Sequence, residues 1–169
     1  MGPIIVMGVS GSGKTMFGTA LAERLGVVFI EGDTLHPPEN VAKMSAGTPL
    51  TDEDRWPWLQ AICRALAGKD GAVASCSALK LTYRNRLRAG LWPAARFICL
   101  AIPRPELELR MSERRGHFMP ATLLDSQLAT FEPPDSEADA LIVDGTAPQE
   151  LNVDLAVTWL QSNSGETAW

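Results

Sequence analysis

Few features of specialised protein classes occur in this sequence. Its 169 residues include only three cysteines (Cys63, Cys76 and Cys99), too few and too odd in number for a disulfide framework. All three lie in apolar segments, which predicts buried, reduced thiols in a cytoplasmic protein. No apolar run reaches the roughly 18 residues of a membrane span, and Met1–Gly8 lacks the basic start of a signal peptide. We therefore expect one cytoplasmic domain over residues 1–169, without a membrane partner.

Positive charge is scarce overall but concentrated in one stretch. Fifteen basic against 20 acidic residues give a net charge of −5, which argues against electrostatic binding of nucleic acid. Between Lys80 and Arg115, nine basic and three acidic residues give a local net charge of +6. A local positive field suits an anionic small ligand, although arginines scattered over a solvated helix face would produce the same count.

Short apolar runs alternate with helical patterns along the chain. Strands are predicted at Pro3–Met7, Val27–Ile30, Ala72–Cys76, Arg96–Ala101 and Ala140–Val143. Helices are predicted at Thr15–Leu25, His36–Ser45, Asp52–Ala67, Leu79–Leu87, Pro105–Arg114, Pro120–Thr130 and Pro148–Leu160. This alternation predicts an α/β protein in three layers, with a parallel sheet covered by helices on both faces.

One loop fits a phosphate-binding motif at every fixed position. Residues 8–15 match G-x-x-x-x-G-K-[ST] and lie between a predicted strand and a predicted helix, as a P-loop requires. In such a loop, backbone N–H groups surround phosphate oxygens, a lysine bridges the β- and γ-phosphates, and a hydroxyl binds Mg²⁺. The predicted nucleotide-binding residues are Gly8, Val9, Ser10, Gly11, Ser12, Gly13, Lys14 and Thr15, with Thr15 also on the metal.

Two motifs of other P-loop classes are missing. The third predicted strand is followed by Ser77 rather than by the aspartate of many P-loop ATPases, and no guanine-reading [N/T]-K-x-D motif occurs. The carboxylate expected nearest the phosphates is Asp33, because it follows the second strand, which we expect beside the P-loop strand. There Asp33 would accept a proton from an acceptor hydroxyl or orient Mg²⁺; a simple turn residue after Gly32 is the alternative.

Four segments of the chain carry a more specific pattern. They are MGVSGSGKT at 7–15, GDTLHPPENVAKMSAGTPLTDEDRWPWL at 32–59, CSALKLTYRNRLR at 76–88 and RRGHFMPATLLDSQLATFEPP at 114–134. In order and over about Ile5–Asp144, they resemble the gluconokinase family of small P-loop kinases. The resemblance implies ATP-dependent phosphorylation of D-gluconate to 6-phosphogluconate. It also implies a five-stranded parallel sheet similar to that of shikimate and nucleoside-monophosphate kinases, a mobile lid at about 114–134, and commonly a homodimer.

The resemblance also implies which residues bind gluconate. Asp33 and His36 would face its 6-hydroxyl end, and Arg55 would lie in the acceptor pocket unless it forms a surface ion pair with a neighbouring aspartate. Lys80 and Arg84 lie four residues apart on a predicted helix face, so both can reach one anion, the gluconate carboxylate. A solvated pair is the alternative for these two, and Arg55 or Arg115 would then hold the carboxylate.

The lid region contributes the remaining candidates. By position in similar kinases, Arg110 would contact the adenine and Arg114 the transferring phosphate, with Arg115 or His117 on the sugar acid. Gln127 would hydrogen-bond polyol hydroxyls, although an exposed glutamine explains its position equally well.

Two other functions are compatible with the sequence. One is a kinase of shikimate or nucleotide type on the same scaffold, and the other is a nucleotide-binding regulator that has lost turnover. The D-x-x-H-P-x-x-N run at 33–40 favours a sugar acid over the first alternative. Against the second, Lys14, Asp33 and Lys80 are all present, whereas a decayed enzyme usually lacks some of its catalytic groups.

Overall fold

A parallel sheet of five strands forms the centre of the structure, a computed structural model that describes residues 1–113 and 121–162. The strands are β1 (Ile4–Met7), β2 (Phe29–Ile30), β3 (Val73–Ser75), β4 (Arg96–Ala101) and β5 (Ala140–Asp144). Their order is β2-β3-β1-β4-β5, and every neighbouring pair is parallel. The predicted α/β class is confirmed. The predicted position of the second strand is wrong, because β3 lies between it and the P-loop strand β1.

Helices cover both faces of the sheet within these residues. They are α1 (Lys14–Leu25), α2 (Pro38–Ser45), α3 (Asp52–Leu66), α4 (Leu81–Gly90), α5 (Arg104–Glu113), α6 (Ala121–Thr130) and α7 (Gln149–Ser162), with a short 3-10 helix at Gly32–Leu35. No helix of the described residues is long and apolar enough to cross a membrane.

Alternation along β1 distributes its side chains between two hydrophobic clusters. Ile4 and Val6 pack with residues of α1 and α7 on one face, whereas Ile5 and Met7 pack with residues of α3 and α4 on the other. All four side chains are fully buried, as expected for a central strand of a parallel sheet covered on both faces. The three cysteines are free and buried, as predicted.

Two helices begin two residues later than the sequence pattern predicts. The helix expected from His36 starts at Pro38, because proline suits the first helical position and the residue before a proline is driven out of helical geometry. The helix expected from Leu79 starts at Leu81, after an extended Lys80 and an Ala78 with a positive φ of 42°. Both delays leave irregular backbone at the carboxyl edge of the sheet, where ligands bind in open α/β folds.

Candidate active site

The P-loop connects β1 to α1, and three of its glycines, Gly8, Gly11 and Gly13, have a positive φ. Gly13 precedes the helix with φ at 91°, a left-handed conformation that favours glycine. The Gly13 carbonyl accepts the first helical hydrogen bond, from the backbone N–H of Phe17 at 3.0 Å. Lys14 Nζ donates to the carbonyl oxygen of Val9 at 3.0 Å, across the loop. The positive end of the α1 dipole therefore reinforces a loop suited to phosphate oxygens.

Two cavities open on opposite sides of this loop. The larger, of about 370 Å³, is lined by Gly11, Ser12, Gly13, Met16, Phe17, Leu100, Arg110, Gly145, Ala147, Gln149 and Asn152. The smaller, of about 170 Å³, is lined by Ser10, Lys14, Asp33, His36, Met44, Pro49, Leu50, Arg55, Trp58, Ser77, Leu123, Ser126 and Gln127. We call them the nucleotide cavity and the acceptor cavity.

Arg110 forms part of the wall of the nucleotide cavity. Its Nε donates to Glu106 at 2.7 Å on the same helix, and its Nη2 donates to the carbonyl oxygen of Gly145 at 2.9 Å. These bonds fix a planar guanidinium between α5 and the loop after β5. Such a group stacks well on an aromatic base, in keeping with the contact to adenine expected for Arg110.

Glu31, two residues before Asp33, lies beside the P-loop although the sequence pattern gave it no role. Thr15 Oγ1 donates to one Glu31 carboxylate oxygen at 2.5 Å, and Ser75 Oγ donates to the other. A hydroxyl and a carboxylate side by side are hard oxygen ligands of the kind that Mg²⁺ accepts. The described residues contain no group of three or more His, Cys, Asp or Glu suited to a metal, so an ion here would depend on phosphate and water for its other ligands. The available signal was an acidic residue directly after β2.

Asp33 reaches the acceptor cavity although β2 does not adjoin β1. Gly32 donates its backbone N–H to Ser75 Oγ at 2.9 Å, and a Cβ on Gly32 would stand only 1.9 Å from the Ser75 carbonyl oxygen. Only glycine permits this close approach of the 3-10 helix to β3. The helix therefore carries Asp33 across the end of β3 to the cavity that Lys14 also lines.

His36 is held rigidly in the same cavity. Its ring stacks on Trp58, with centroids 4.0 Å apart and an interplanar angle of 14°. Trp58 in turn donates Nε1–H to the carbonyl oxygen of Gly32 at 2.7 Å. Burial, assisted by the positive charge of Arg55, lowers the pKa of His36 from 6.5 to about 4. At neutral pH, His36 is therefore an uncharged imidazole.

Arg55 brings a buried positive charge to the acceptor cavity. The residue is 9% exposed, its guanidinium lies 5.4 Å from the centre of the Tyr83 ring, and its Nε meets no hydrogen-bond partner among the described residues. The alternative of a surface pair with Asp52 or Asp54 does not hold, because Arg55 is buried and the ion pairs of these carboxylates among the described residues are with Lys80 and Lys43. Arg55 is thus suited to bind an anion that enters the cavity.

Lys80 and Arg84, by contrast, do not converge on one anion. Lys80 donates to Asp52 at 2.8 and 3.1 Å. Arg84 is 1% exposed and binds Glu137 through Nε at 2.9 and 3.0 Å, with further bonds to the carbonyl oxygens of Ala78 and Leu79. Neither residue lines either cavity. The structure therefore does not bring this pair together on one anion, since α4 begins after Lys80 and Arg84 faces inward.

The lid-side candidates have different outcomes. Gln127 of α6 lines the acceptor cavity, but its amide contacts the P-loop: Ser10 N donates to Gln127 Oε1 at 2.8 Å, and Gln127 Nε2 donates to Ser10 Oγ at 3.1 Å. Arg114, Arg115 and His117 lie outside the described residues.

A phosphate-binding loop with separate cavities on its two sides can hold a nucleotide and a phosphate acceptor at once, which defines a P-loop kinase. A family model described as an AAA domain matches residues 4–134. The gluconokinase of Gluconobacter oxydans (strain 621H) is 51% identical over 147 residues, covering 84% of this chain and 82% of that protein. The chain therefore belongs to the gluconokinase family and is a kinase.

Solved structures agree with this assignment. The crystal structure of a gluconokinase from Sinorhizobium meliloti 1021 matches with a TM-score of 0.88 and 50% identity, covering 95% of this chain and 92% of that one. A shikimate kinase from Aquifex aeolicus vf5 matches with a TM-score of 0.58 over 96% of this chain and 98% of that one. Its 19% identity makes this second likeness evidence for the fold alone.

Proposed function

We propose that the protein transfers the γ-phosphoryl group of ATP to the 6-hydroxyl of D-gluconate, giving 6-phosphogluconate. The observation that carries the proposal is the acceptor cavity, where Asp33, His36 and Arg55 share a wall with the P-loop lysine. A linear polyol with a carboxylate needs acceptors and donors for its hydroxyls and a cation for its charged end. Membership of the gluconokinase family supports the same substrate.

Three side chains of the described residues have separate roles in this proposal. Asp33 accepts the proton of the 6-hydroxyl as that oxygen attacks phosphorus. Lys14 offsets the charge that develops on the phosphate oxygens. Arg55 binds the gluconate carboxylate, a part that the sequence left open between it, Lys80, Arg84 and Arg115. From the family resemblance, Arg114 would join Lys14 at the phosphate.

Magnesium is part of the proposal because the residues present fit it. Thr15 and Glu31 place a hydroxyl and a carboxylate at the point where the P-loop meets α1. Bound there, Mg²⁺ supplies positive charge to the phosphates. We further propose a cytoplasmic enzyme that acts as a homodimer, in keeping with three buried reduced thiols and with the family resemblance.

An acceptor panel tests the proposed function. Purified protein with MgATP should consume ATP rapidly with D-gluconate and form 6-phosphogluconate, and should do so slowly with shikimate, nucleoside monophosphates or no acceptor. Faster turnover with shikimate or a nucleotide would support the alternative kinases. ATP consumption that no acceptor increases would support a regulator that has lost turnover.

A further inference from the structure

Asn40 is a buried polar residue that contacts His36 from outside the lining of the acceptor cavity. It lies on α2 and is 3% exposed. Its Nδ2 donates to the carbonyl oxygen of Asp54 at 2.8 Å and lies 3.2 Å from His36 Nδ1. Because a backbone carbonyl oxygen can only accept, the Asp54 contact fixes the amide nitrogen, rather than the amide oxygen, on this side. The atom that faces the His36 ring is therefore a donor.

This contact determines which ring nitrogen of His36 carries the proton. An amide nitrogen has two hydrogens and no acceptor capacity, so His36 Nδ1 must present its lone pair to Asn40. A neutral imidazole then carries its single hydrogen on Nε2. The stacking on Trp58 fixes the plane of the ring, and the contact with Asn40 places Nδ1, rather than a ring carbon, on this side. His36 thus offers the cavity one N–H donor and no free lone pair.

The charged groups near the His36 ring explain why a neutral N–H donor suits this cavity. Asp33, on the 3-10 helix, brings a carboxylate to the cavity, and Arg55, on α3, brings a cation. The ionised carboxylate can only accept, and the guanidinium is matched to an anion. A polyol hydroxyl that donates to Asp33 still has an oxygen lone pair to be satisfied. A neutral N–H donor at His36 meets that need without adding charge.

We propose that Asn40 is a positioning residue that holds His36 in its Nε2–H form, so that His36 donates to an oxygen of the acceptor and cannot compete with Asp33 for the hydroxyl proton. The inference rests on the proposed function for the identity of the acceptor. It leaves Asp33 as the proton acceptor at the site and gives His36 a part in hydroxyl recognition.

The tautomer can be measured in the protein without substrate. Long-range ¹H–¹⁵N correlation spectra of the histidine-labelled protein distinguish protonated from bare ring nitrogens. The chain has two histidines, so a His117→Gln variant assigns the His36 signals. We expect a bare Nδ1 and a protonated Nε2 at pH 7. In Asn40→Asp, a carboxylate that can only accept should draw the proton to Nδ1. A wild-type ring protonated at Nδ1 would overturn the proposal.

Kinetics of His36 variants test the functional half of the proposal. His36→Gln keeps an N–H donor near the position of Nε2, whereas His36→Phe keeps the stacking on Trp58 and loses the donor. We expect His36→Phe to raise KM for gluconate about tenfold, the effect of one lost hydrogen bond, and His36→Gln to recover most of it, with KM for ATP unchanged in both. A merely structural role predicts the opposite ranking, because phenylalanine preserves the stacked ring.

The outcomes separate the inference from the proposed function. If wild-type protein phosphorylates gluconate but His36→Phe equals or surpasses His36→Gln, the inference fails and the function stands. If wild-type protein does not use gluconate, the proposed function fails, and the tautomer measurement still decides whether Asn40 sets the protonation of His36.

Discussion

Arg55 is the residue whose surroundings most directly indicate a ligand charge. Its Nε is buried without a hydrogen-bond partner among the described residues, in the wall of the acceptor cavity. A charge-assisted hydrogen bond contributes about 1.5–3 kcal/mol, or roughly 10- to 100-fold in affinity. We therefore expect Arg55→Met to lose most of the preference for gluconate over sorbitol, measured as the ratio of kcat/KM.

Lys80→Met is the matched control for this prediction. It removes a cation of the same stretch that binds Asp52 and lies outside the cavity lining. The preference for gluconate should persist in Lys80→Met, whatever its effect on stability. A preference that collapses in Lys80→Met and persists in Arg55→Met would assign the carboxylate to Lys80.

Asp33 is expected to act on the rate rather than on binding. Asp33→Asn keeps the size of the side chain but removes its capacity to take a proton, so kcat should fall by about 10²–10⁴, the usual contribution of a general base. KM for ATP should change little. Initial rates at varied ATP and gluconate measure both, and a variant that raised only KM for ATP would make Asp33 a nucleotide or metal residue.

His36 should make the free energy of unfolding depend on pH in the acidic range. Its pKa is 6.5 in the unfolded chain and about 4 in the folded protein, so between these values only the unfolded chain binds the proton. Stability is therefore lost as pH falls through this window. Urea denaturation at pH 7 and pH 4.5 should show a larger loss of unfolding free energy for wild type than for His36→Phe. Equal losses would mean that His36 titrates normally in the fold.

Site residues could be predicted where the interacting groups are close in the sequence, and could not where they are far apart. The local spacing of the P-loop and of the run at 33–40 indicated Lys14, Asp33 and His36, and these three do line one cavity. The partner of Arg84 is Glu137, 53 residues further along the chain, and no local sequence pattern predicts such a pair. Arg84 was therefore predicted to contact the ligand, whereas in the structure it forms an internal ion pair with Glu137.

At the scale of elements, most predicted helices and strands are confirmed within one or two residues, because apolar periodicity and capping residues act locally. β4 has its predicted bounds, Arg96–Ala101. The order of the strands in the sheet is harder to predict, because it depends on the path of each crossover connection rather than on local sequence. The two-residue strand β2 gave no sign that β3 would separate it from β1.

The junction between α4 and the segment before β5 contains a buried ion pair, Arg84–Glu137, beside the more exposed pairs of Arg88 with Glu137 and Asp139. Arg84 joins Glu137 to the carbonyl oxygens of Ala78 and Leu79, so it fixes the loop that leads from β3 into α4. Removing one partner of a buried pair costs about 3 kcal/mol or more. Arg84→Met should lower the unfolding free energy by about that amount in urea titrations.

An exposed ion pair provides the comparison at this scale. Arg104 of α5 binds Glu108 and Asp125, and its side chain is 53% exposed. Arg104→Met should lower the unfolding free energy much less than Arg84→Met, because water screens and replaces such exposed contacts. Equal losses for the two variants would show that Arg84 contributes no more than a surface arginine.

For the whole molecule, the central position of β1 separates the two cavities. The strand delivers the P-loop to the middle of the sheet's carboxyl edge, with the β3–β2 side bearing Asp33 and the β4–β5 side bearing the wall next to Gly145. Gln127 links α6 to the loop at Ser10. In the proposed function, nucleotide and acceptor would therefore contact the same loop through different side chains, and we expect that their binding can be weakened separately.

Ligand-linked stability tests that separation. A ligand at 100 times its Kd stabilises the folded state by about 2.7 kcal/mol, which corresponds to a rise in Tm of roughly 5–11 °C for a chain of this size. A non-hydrolysable ATP analogue with Mg²⁺ and gluconate should each raise the Tm of wild type. Arg110→Met should reduce the shift with the analogue and keep that with gluconate, and Arg55→Met should do the reverse. If either variant lost both shifts equally, the two cavities would not be independent sites, because one altered wall would then disturb the P-loop that they share.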